Sequence, residues 1–423
     1  MFAASWIGAG FYASAVGQVP AVEPACEFAS DMSIAVLLRP RGRPSAADRG
    51  IAAGVVWTWS RTRQELIVWA AAFLLSLGQW RHAAFFFGNC APSCDMSDVI
   101  RAVQAEQGVL QGYPHWRYFQ SRLLGPLAEK GLNVLFGVNF LVAHMIVAVV
   151  VLTACGAVMF YAGRAVGGRQ AGWSALLAFE SLFALLMARP WLYIWDYFLL
   201  LLTAVFMVLV IRRAPWWAFV ILMGVAFFNH EAALFIGVWM VAQALADAWA
   251  ERRLPDWGLL VGGIIGNLNG ILLIEYLRAS LLNREIGWDL FQDAREAPSS
   301  WLDAYFHLQL SANLHDIHRW LSEPGFDLMA LILVPLIVTL FLAVWLVLRH
   351  GARGFGLAVY ALAQVAALLL FGLRQETRDL LELVPFLCLA GMMATRSEWG
   401  AAAAVEPTGI ALGPKPRQSR RHG

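Results

Sequence analysis

The chain has 423 residues, of which 60% are hydrophobic and 14% are charged, and its mean hydropathy is +0.61. Soluble domains carry about 25% charged residues, so the composition excludes an ordinary soluble protein and indicates a polytopic membrane protein. The net charge is only +2, and the arginines are spread over many short segments rather than massed on one face. We therefore expect an all-α bundle of membrane helices with no nucleic-acid partner.

The first 60 residues are expected to lie outside the folded domain. Residues 1–21 are apolar, but they lack a basic start and are broken by glycines and Pro20, which makes a weak signal peptide. Residues 39–49 are rich in Pro and Arg, a composition typical of disordered chain. We interpret residues 1–60 as a disordered extension, or as an extension created by a gene start placed too early, since Met32 could begin the protein.

Apolar segments that approach the length of a membrane span follow from about residue 66. A span needs roughly 20 mainly apolar residues, and the shorter segments must borrow from their flanks. The ten expected spans cover about residues 66–80, 132–161, 171–187, 191–211, 218–228, 232–250, 257–276, 328–348, 355–373 and 380–395. A transmembrane domain is thus predicted over 61–395, with outer loops at 83–130 and 278–327, and a disordered basic tail over 396–423.

Basic residues in the short connections predict the orientation. Pairs of arginines follow alternate spans: Arg164 and Arg169, Arg212 and Arg213, Arg252 and Arg253, Arg349 and Arg353. Short cytoplasmic loops carry an excess of Lys and Arg, so these connections are expected inside the cell. The prediction is a multi-pass protein of a bacterial-type inner or plasma membrane, with both termini cytoplasmic and the long loops outside, where a site would be built.

The first outer loop begins with two acids and ends with two arginines. Asp95 and Asp98 are three residues apart and would share one face of a helix, where one of them could serve as a general base or a metal ligand. They could instead cap that helix and form its acidic first turn. Arg117 and Arg122, set among aromatic residues, suit contact with a phosphate, but the same composition anchors lipid headgroups.

Two polar positions interrupt the apolar segments further along the chain. His230 and Glu231 separate the fifth and sixth spans, and ionisable groups at membrane depth usually face a partner or a cavity, although a short outer turn exposed to water is the alternative. Asp196 lies in the fourth span and is expected to face inward near the outer interface, with Arg189 as its counter-charge.

Four charges lie close together between the last two spans: Arg374, Glu376, Arg378 and Asp379. Alternating signs can simply neutralise one another in a turn. Two arginines held by acids could also grip a diphosphate.

No complete metal-ligand pattern is visible in the sequence. His315 and His318 have the spacing of two ligands on a helix, but a pair without a third ligand is a weak signal. The five cysteines form no zinc pattern. We predict no metal-binding residue, and no cofactor beyond a divalent metal that the chemistry would allow.

Taken together, these features resemble the GT-C superfamily of integral-membrane glycosyltransferases, which use polyprenyl-phosphate-linked sugars. The resemblance covers roughly residues 62–395. It rests on the acids and the aromatic-arginine stretch of the first outer loop, on the His-Glu-Ala-Ala-Leu-Phe turn at 230–235, and on Glu376-Thr377-Arg378 before an apolar helix that contains Pro385.

The resemblance implies a reaction and roles for particular residues. An acid of the first outer loop would be the catalytic base, and here that points to Asp98 in preference to Asp95. Arg374 and Arg378 would hold the lipid phosphate, with Arg117 or Arg122 as the early-loop partner. The acceptor hydroxyl would attack the anomeric carbon as the base removes its proton and the arginines neutralise the phosphate leaving group.

Two alternatives stay open, because a fold does not determine a function. The chain lacks the adjacent acid pair and the large soluble C-terminal domain of many GT-C enzymes, which leaves room for a non-catalytic membrane scaffold. A transporter or flippase of a lipid-linked or anionic solute would instead place charges deep within the spans.

Overall fold

The computed structural model of the chain describes residues 62–81, 97–112, 121–187, 192–281, 309–322, 328–372 and 377–394. The chain divides into two units, Met1–Arg61 and Thr62–Gly423, and every described residue belongs to the second. These residues are 90% helical and contain no strand, so the predicted all-α class is confirmed. The predictions for residues 1–60 and for the tail at 396–423 fall outside the described residues.

The helices are labelled α1 to α12 in chain order. They are α1 (residues 62–81), α2 (Ser97–Gln111), α3 (Leu124–Phe136), α4 (Phe140–Leu186), α5 (Ile194–Ile211), α6 (Trp216–Phe227), α7 (Leu234–Glu251), α8 (Trp257–Leu281), α9 (Leu310–Ser322), α10 (Leu328–His350), α11 (Ala352–Phe371) and α12 (Val384–Ala394). The described residues also include two 3-10 helices: Glu231–Ala233 precedes α7, and Thr377–Leu383 precedes α12.

Among the described residues, six helices are long and apolar enough to cross a membrane, namely α4, α5, α7 with the 3-10 turn before it, α8, α10 and α11. Helices α6 and α12, with 12 and 11 residues, are shorter than the roughly 20 residues that a full crossing needs. The six long apolar helices make the chain a multi-pass membrane protein. The predicted count of ten spans is not confirmed.

Helix α4 contains a sharp turn where the sequence predicts a break between two spans. Gly167 (φ −150°, ψ 22°) and Gly168 (φ 79°, ψ −168°) leave the helical conformation, and the positive φ of Gly168 is one that glycine adopts without steric cost. The third predicted span is the second arm of this helix. The second predicted span, expected from about residue 132, begins instead at Phe140, because α3 ends at Phe136 with Gly137 as its C-cap. The arms stay close beyond the turn, because a Cβ added at Gly163 would lie 2.5 Å from the carbonyl oxygen of Ala171.

Helix α5 lies at the centre of the bundle, and its aromatic side chains join it to its neighbours. The ring of Phe206 lies 5.4 Å from that of Trp239 on α7 and 4.7 Å from that of Tyr360 on α11, centroid to centroid. Phe219 of α6 contacts the same Trp239 ring at 4.5 Å. In a lipid environment such close packing, rather than release of water, holds the helices together.

Helices α5 to α8 alternate in direction, so α5 and α7 begin at the end of the bundle where α6 and α8 finish. We call this the polar end. Backbone hydrogen bonds connect the start of α3 to the end of α6 here, since the N–H groups of Leu123 and Leu124 donate to the carbonyl of Phe228 at 2.7 and 2.9 Å. The side-chain amide of Asn229 donates to the carbonyl of Trp195 at 2.8 Å.

The basic turns lie at the opposite end of the bundle. Helix α5 finishes at Arg212 and α7 at Arg252, both in helix C-cap positions. At the same end, a ring nitrogen of His350 on α10 lies 2.9 Å from the carbonyl oxygen of Met393 on α12. The basic turns after α5 and α7 therefore share one end of the bundle, because α6 returns the chain to the same end.

Candidate functional site

The first turn of α5 organises the polar end. The first N–H groups of a helix have no partner within the helix and need acceptors from elsewhere. Here the N–H of Ile194 donates to Oε1 of Glu106 on α2 at 2.8 Å, and the N–H of Tyr193 donates to Oδ2 of Asp196 at 3.0 Å. Helix α3 packs directly on this turn, because Gly125 leaves no room for a Cβ beside the Ile194 side chain.

Asp196 differs in one respect from its predicted setting. The sequence places it within a span and opposite Arg189, but the helix begins at Ile194, so Asp196 lies in the first turn and caps the helix through its carboxylate. Arg189 itself lies outside the described residues.

Two arginines from distant segments meet on Glu231, and we call Arg122, Glu231 and Arg278 the arginine clasp. Nη2 of Arg122 lies 3.0 Å from Oε2 of Glu231, and Nη2 of Arg278 contacts the other carboxylate oxygen. The side chains are 16%, 28% and 12% exposed in that order, so solvent reaches the clasp only partly. Charge-assisted bonds of this kind are roughly twice as strong as neutral ones.

Further contacts fix the orientation of the two guanidinium groups. Arg122 lies over the Trp195 ring, 5.8 Å from its centroid, in cation–π geometry. Nη1 of Arg278 donates to Glu275 one helical turn earlier at 3.2 Å. Ser121 donates its hydroxyl to Glu231 at 3.4 Å. Each guanidinium is therefore held by more than one group.

His230 caps the 3-10 turn that carries Glu231. Its Nδ1 accepts the N–H of Ala232 at 3.1 Å, which assigns the proton of the neutral ring to Nε2. The same Nδ1 lies 3.8 Å from one carboxylate oxygen of Glu231 and 3.8 Å from one of Glu382. The shorter bond to the backbone dominates, and the carboxylates become strong partners only if the ring is doubly protonated.

Glu382 brings a buried carboxyl group to the polar end. It lies in the 3-10 helix Thr377–Leu383 and is 9% exposed. Burial, and then the Asp379 carboxylate, raises the pKa of Glu382 to about 8, while the guanidinium of Arg122 acts in the opposite direction. Glu382 is therefore largely protonated at neutral pH and can donate a hydrogen bond.

A second buried group lies beside the clasp, and we call Glu106, Glu129 and His144 the Glu-His-Glu triad. Nδ1 of His144 lies 3.2 Å from Oε2 of Glu106 and 2.9 Å from Oε1 of Glu129. The three side chains come from α2, α3 and α4, and both glutamates are fully buried. Burial, and then the Glu106 carboxylate, raises the pKa of Glu129 to about 8, opposed by His144.

The structure brings three of the predicted site residues together and leaves others without a described side chain. Arg122, His230 and Glu231 meet at the polar end, and Asp196 lies there in the first turn of α5. Asp98 lies in the first turn of α2 and Arg378 in the second 3-10 helix, but their side chains fall outside the described part of the structure. Five more predicted positions lie outside the described residues altogether: Asp95, Arg117, Arg189, Arg374 and Glu376.

Five polar residues of this region were not among the predicted site residues: Glu106, Glu129, His144, Arg278 and Glu382. A signal existed for two of them. His144 and Glu382 both fall inside segments predicted as spans, where an ionisable residue marks a functional position. Arg278 closes an apolar helix and resembles an ordinary basic flank, and Glu106 and Glu129 belong to a polar loop in which acids are unremarkable.

Comparison of the chain with known protein families, with curated proteins and with solved structures finds no match.

Proposed function

We propose that this protein is a membrane glycosyltransferase that moves a sugar from a polyprenyl-phosphate donor to an acceptor at the extracytoplasmic face. The observation that supports it best is the arginine clasp: Arg122 and Arg278 meet on Glu231 at the end of several apolar helices. A guanidinium offers a rigid fork of donors that matches phosphate oxygens. A lipid whose apolar tail lay alongside these helices would have its phosphate at the level of the clasp.

In this proposal the acids beside the two arginines orient the guanidinium groups for phosphate binding. Glu231 and Glu275 hold the guanidiniums in place, so little reorganisation is needed when negative charge develops on a departing phosphate. Trp195 supplies an apolar wall beneath Arg122. Protonated Glu382 adds no negative charge and offers a hydrogen-bond donor.

The catalytic base in this proposal is Asp98, with Asp95 as the alternative. Asp98 lies on the same helix as Glu106, eight residues earlier, or about 12 Å along the axis. Because Glu106 is bonded to the start of α5, the helix that carries Asp98 is attached to the clasp region. Arg117, Arg374 and Arg378 would add positive charge around the phosphate.

The test is turnover in proteoliposomes. The full chain would be supplied with polyprenyl-phosphate sugars carrying a labelled hexose or pentose, with and without Mg²⁺ or Mn²⁺, and loss of the lipid-linked label would be measured. We expect Asp98→Asn to lower the rate by about 10²- to 10⁴-fold, the usual contribution of a general base. Arg122→Gln and Arg278→Gln should also lower the rate. Arg253→Gln should not, because Arg253 forms an exposed ion pair with Glu251 at the opposite end of the bundle.

Two results would overturn the proposal. One is donor consumption no faster than in empty liposomes for every sugar supplied. The other is unchanged turnover in both Asp98→Asn and Asp95→Asn, which would remove the assigned base.

A specific observation also favours transport as a second candidate. Glu180 is buried within the second arm of α4 at 4% exposure, and no cationic side chain among the described residues forms an ion pair with its carboxylate. Ionisable groups at membrane depth often mark a solute or proton pathway. Transport predicts that Glu180→Gln abolishes movement of a fluorescent polyprenyl-phosphate lipid between leaflets, whereas a transferase without transport activity moves no lipid in either form.

A further inference from the structure

The Glu-His-Glu triad is not used by the proposed transfer reaction. Its three side chains come from three helices. Each offers one atom that could bind a metal ion, and these three atoms lie within 4.8 Å of one another. Glu106 and Glu129 are fully buried, and His144 is 3% exposed. Burial of two carboxylates with one imidazole is costly unless positive charge compensates them.

The spacing of the atoms suits a bound cation. Zinc–nitrogen and zinc–oxygen bonds are about 2.0–2.2 Å, so two ligands of a tetrahedral ion lie about 3.3 Å apart. Nδ1 of His144 lies 3.2 Å from Glu106 Oε2 and 2.9 Å from Glu129 Oε1. Little movement would be needed to place an ion among the three atoms.

Two further observations point to a ligand at the triad. Oε2 of Glu129 is buried and has no hydrogen-bond partner among the described residues, so part of its binding capacity is unused. A backbone hydrogen bond also fixes the orientation of the Glu106 carboxylate: Oε1 accepts the N–H of Ile194, which leaves Oε2 facing His144. Outer contacts of this kind commonly fix the ligands of a metal.

We propose that Glu106, Glu129 and His144 form a binding site for a divalent transition metal, Zn²⁺ or Mn²⁺, with at least one coordination position left open. One imidazole nitrogen with two carboxylate oxygens suits these ions, whereas Mg²⁺ and Ca²⁺ prefer oxygen ligands alone. Two carboxylates and a neutral imidazole carry a charge of −2, which a divalent ion cancels within the buried site. Three protein ligands leave a position for water or a substrate oxygen.

The competing explanation is a purely structural ion pair, in which His144 is protonated and shared by the two carboxylates. Both explanations predict that loss of the triad destabilises the fold. They differ in the effect of added Zn²⁺: the stability of a structural ion pair does not depend on Zn²⁺, whereas the stability of a metal site does.

The experiment measures metal directly on the full chain, purified in detergent without a histidine tag. The protein would be stripped with chelator and incubated with Zn²⁺, Mn²⁺ or Mg²⁺ separately. Bound metal would then be measured by elemental analysis and competition with a chromogenic chelator. We expect roughly one Zn²⁺ per chain, weaker Mn²⁺ and no competition from Mg²⁺. We also expect Zn²⁺ to raise the unfolding temperature.

Glu129→Gln is the decisive variant, because the amide keeps the size of the side chain and can still form a hydrogen bond. It should weaken Zn²⁺ binding by more than the roughly 10- to 100-fold that loss of an outer contact costs, and it should abolish the Zn²⁺-dependent rise in unfolding temperature. His144→Asn should do the same. The control is the double variant His315→Ala with His318→Ala on α9, which removes two other histidines and should leave binding unchanged.

The proposal fails if the parent protein binds no stoichiometric Zn²⁺ or Mn²⁺ and its unfolding temperature does not respond to either ion. It also fails if Glu129→Gln binds metal as the parent does, since the ion would then lie elsewhere. If His144→Asn does not fold, the parent and Glu129→Gln still decide the question.

Discussion

The backbone N–H of Ile194 donates to Oε1 of Glu106 at 2.8 Å, although the two residues are 88 positions apart. This bond attaches α2 to the first turn of α5. The next residue, Trp195, lies beneath Arg122 of the arginine clasp. The Glu-His-Glu triad and the arginine clasp are therefore neighbours, and both depend on the start of one buried helix.

Removal of the Glu231 charge should destabilise the protein. Glu231→Gln leaves two partly buried guanidiniums without their shared carboxylate, and loss of a hydrogen bond to a charged group costs about 1.5–3 kcal/mol. The measurement is the unfolding temperature in detergent. Glu251→Gln is the matched control, because its ion pair with Arg253 is more than half exposed and such pairs contribute about 0–1 kcal/mol. Equal effects of the two variants would contradict a structural role of the clasp.

Arg122→Lys should impair the proposed reaction while keeping the charge. Lysine lacks the planar fork and cannot reproduce both the contact with Glu231 and the stacking on Trp195. We expect kcat/KM for a polyprenyl-phosphate sugar to fall about 10-fold, equivalent to ~1.4 kcal/mol. Arg253→Lys at the opposite end should have no effect. A variant Arg122→Lys as active as the parent would show that a point charge alone suffices.

The turn within α4 can be tested with two glycine substitutions. Gly163→Ala would place a Cβ 2.5 Å from the carbonyl oxygen of Ala171 and 2.6 Å from Cβ of Ala175, so the two arms must separate. Overpacking of this kind costs about 1–3 kcal/mol. Gly224→Ala in α6 is the control, because nothing lies within 4 Å of its Cβ and alanine favours a helix by about 1 kcal/mol. Unfolding temperatures should move in opposite directions, and similar shifts would contradict the close approach.

Glu382 should make stability depend on pH. Its pKa is raised from 4.5 to about 8, so the folded state binds the proton more tightly than the unfolded state. The resulting stabilisation is complete below pH 4.5 and is lost as the pH rises toward 8, by at most ~1.4 kcal/mol per pH unit. Glu382→Gln mimics the protonated acid.

The measurement for Glu382 is the unfolding temperature from pH 5 to pH 8.5 in the parent and in Glu382→Gln. We expect the parent to lose stability more steeply, and the variant to be the more stable of the two at pH 8.5. Parallel curves would show that Glu382 has the same pKa in the folded and unfolded states.

The predicted orientation can be tested with reporter fusions. The alternation of helices places Arg252 at one end of the bundle and the end of α8, Leu281, at the other. A reporter inserted after Arg253 should read cytoplasmic, and one at about residue 300 should read extracytoplasmic, because the short basic turns are retained inside. Reversed signals would place the arginine clasp on the cytoplasmic face.

Much of the helical architecture could be predicted from local sequence. The boundaries of α5, α7, α8, α10 and α11 fall within a few residues of the apolar segments that predict them, because membrane helices satisfy their backbone hydrogen bonds within each segment. The turn between the predicted second and third spans coincides with Gly167 and Gly168. The predicted count of ten is not confirmed, because at short segments such as α6 and α12 hydropathy does not distinguish a helix that crosses the bilayer from one buried among its neighbours.

The class of the protein, the positions of its main helices and the polar turn at His230 and Glu231 can be read from the amino-acid sequence, since these depend on composition and on contacts between residues near in the chain. Which charges meet is a property of the packed bundle. Arg278 reaches Glu231 across 47 positions, and His144 meets Glu106 across 38. Such pairings depend on how helices pack side by side, and the period of an apolar helix does not specify its neighbour.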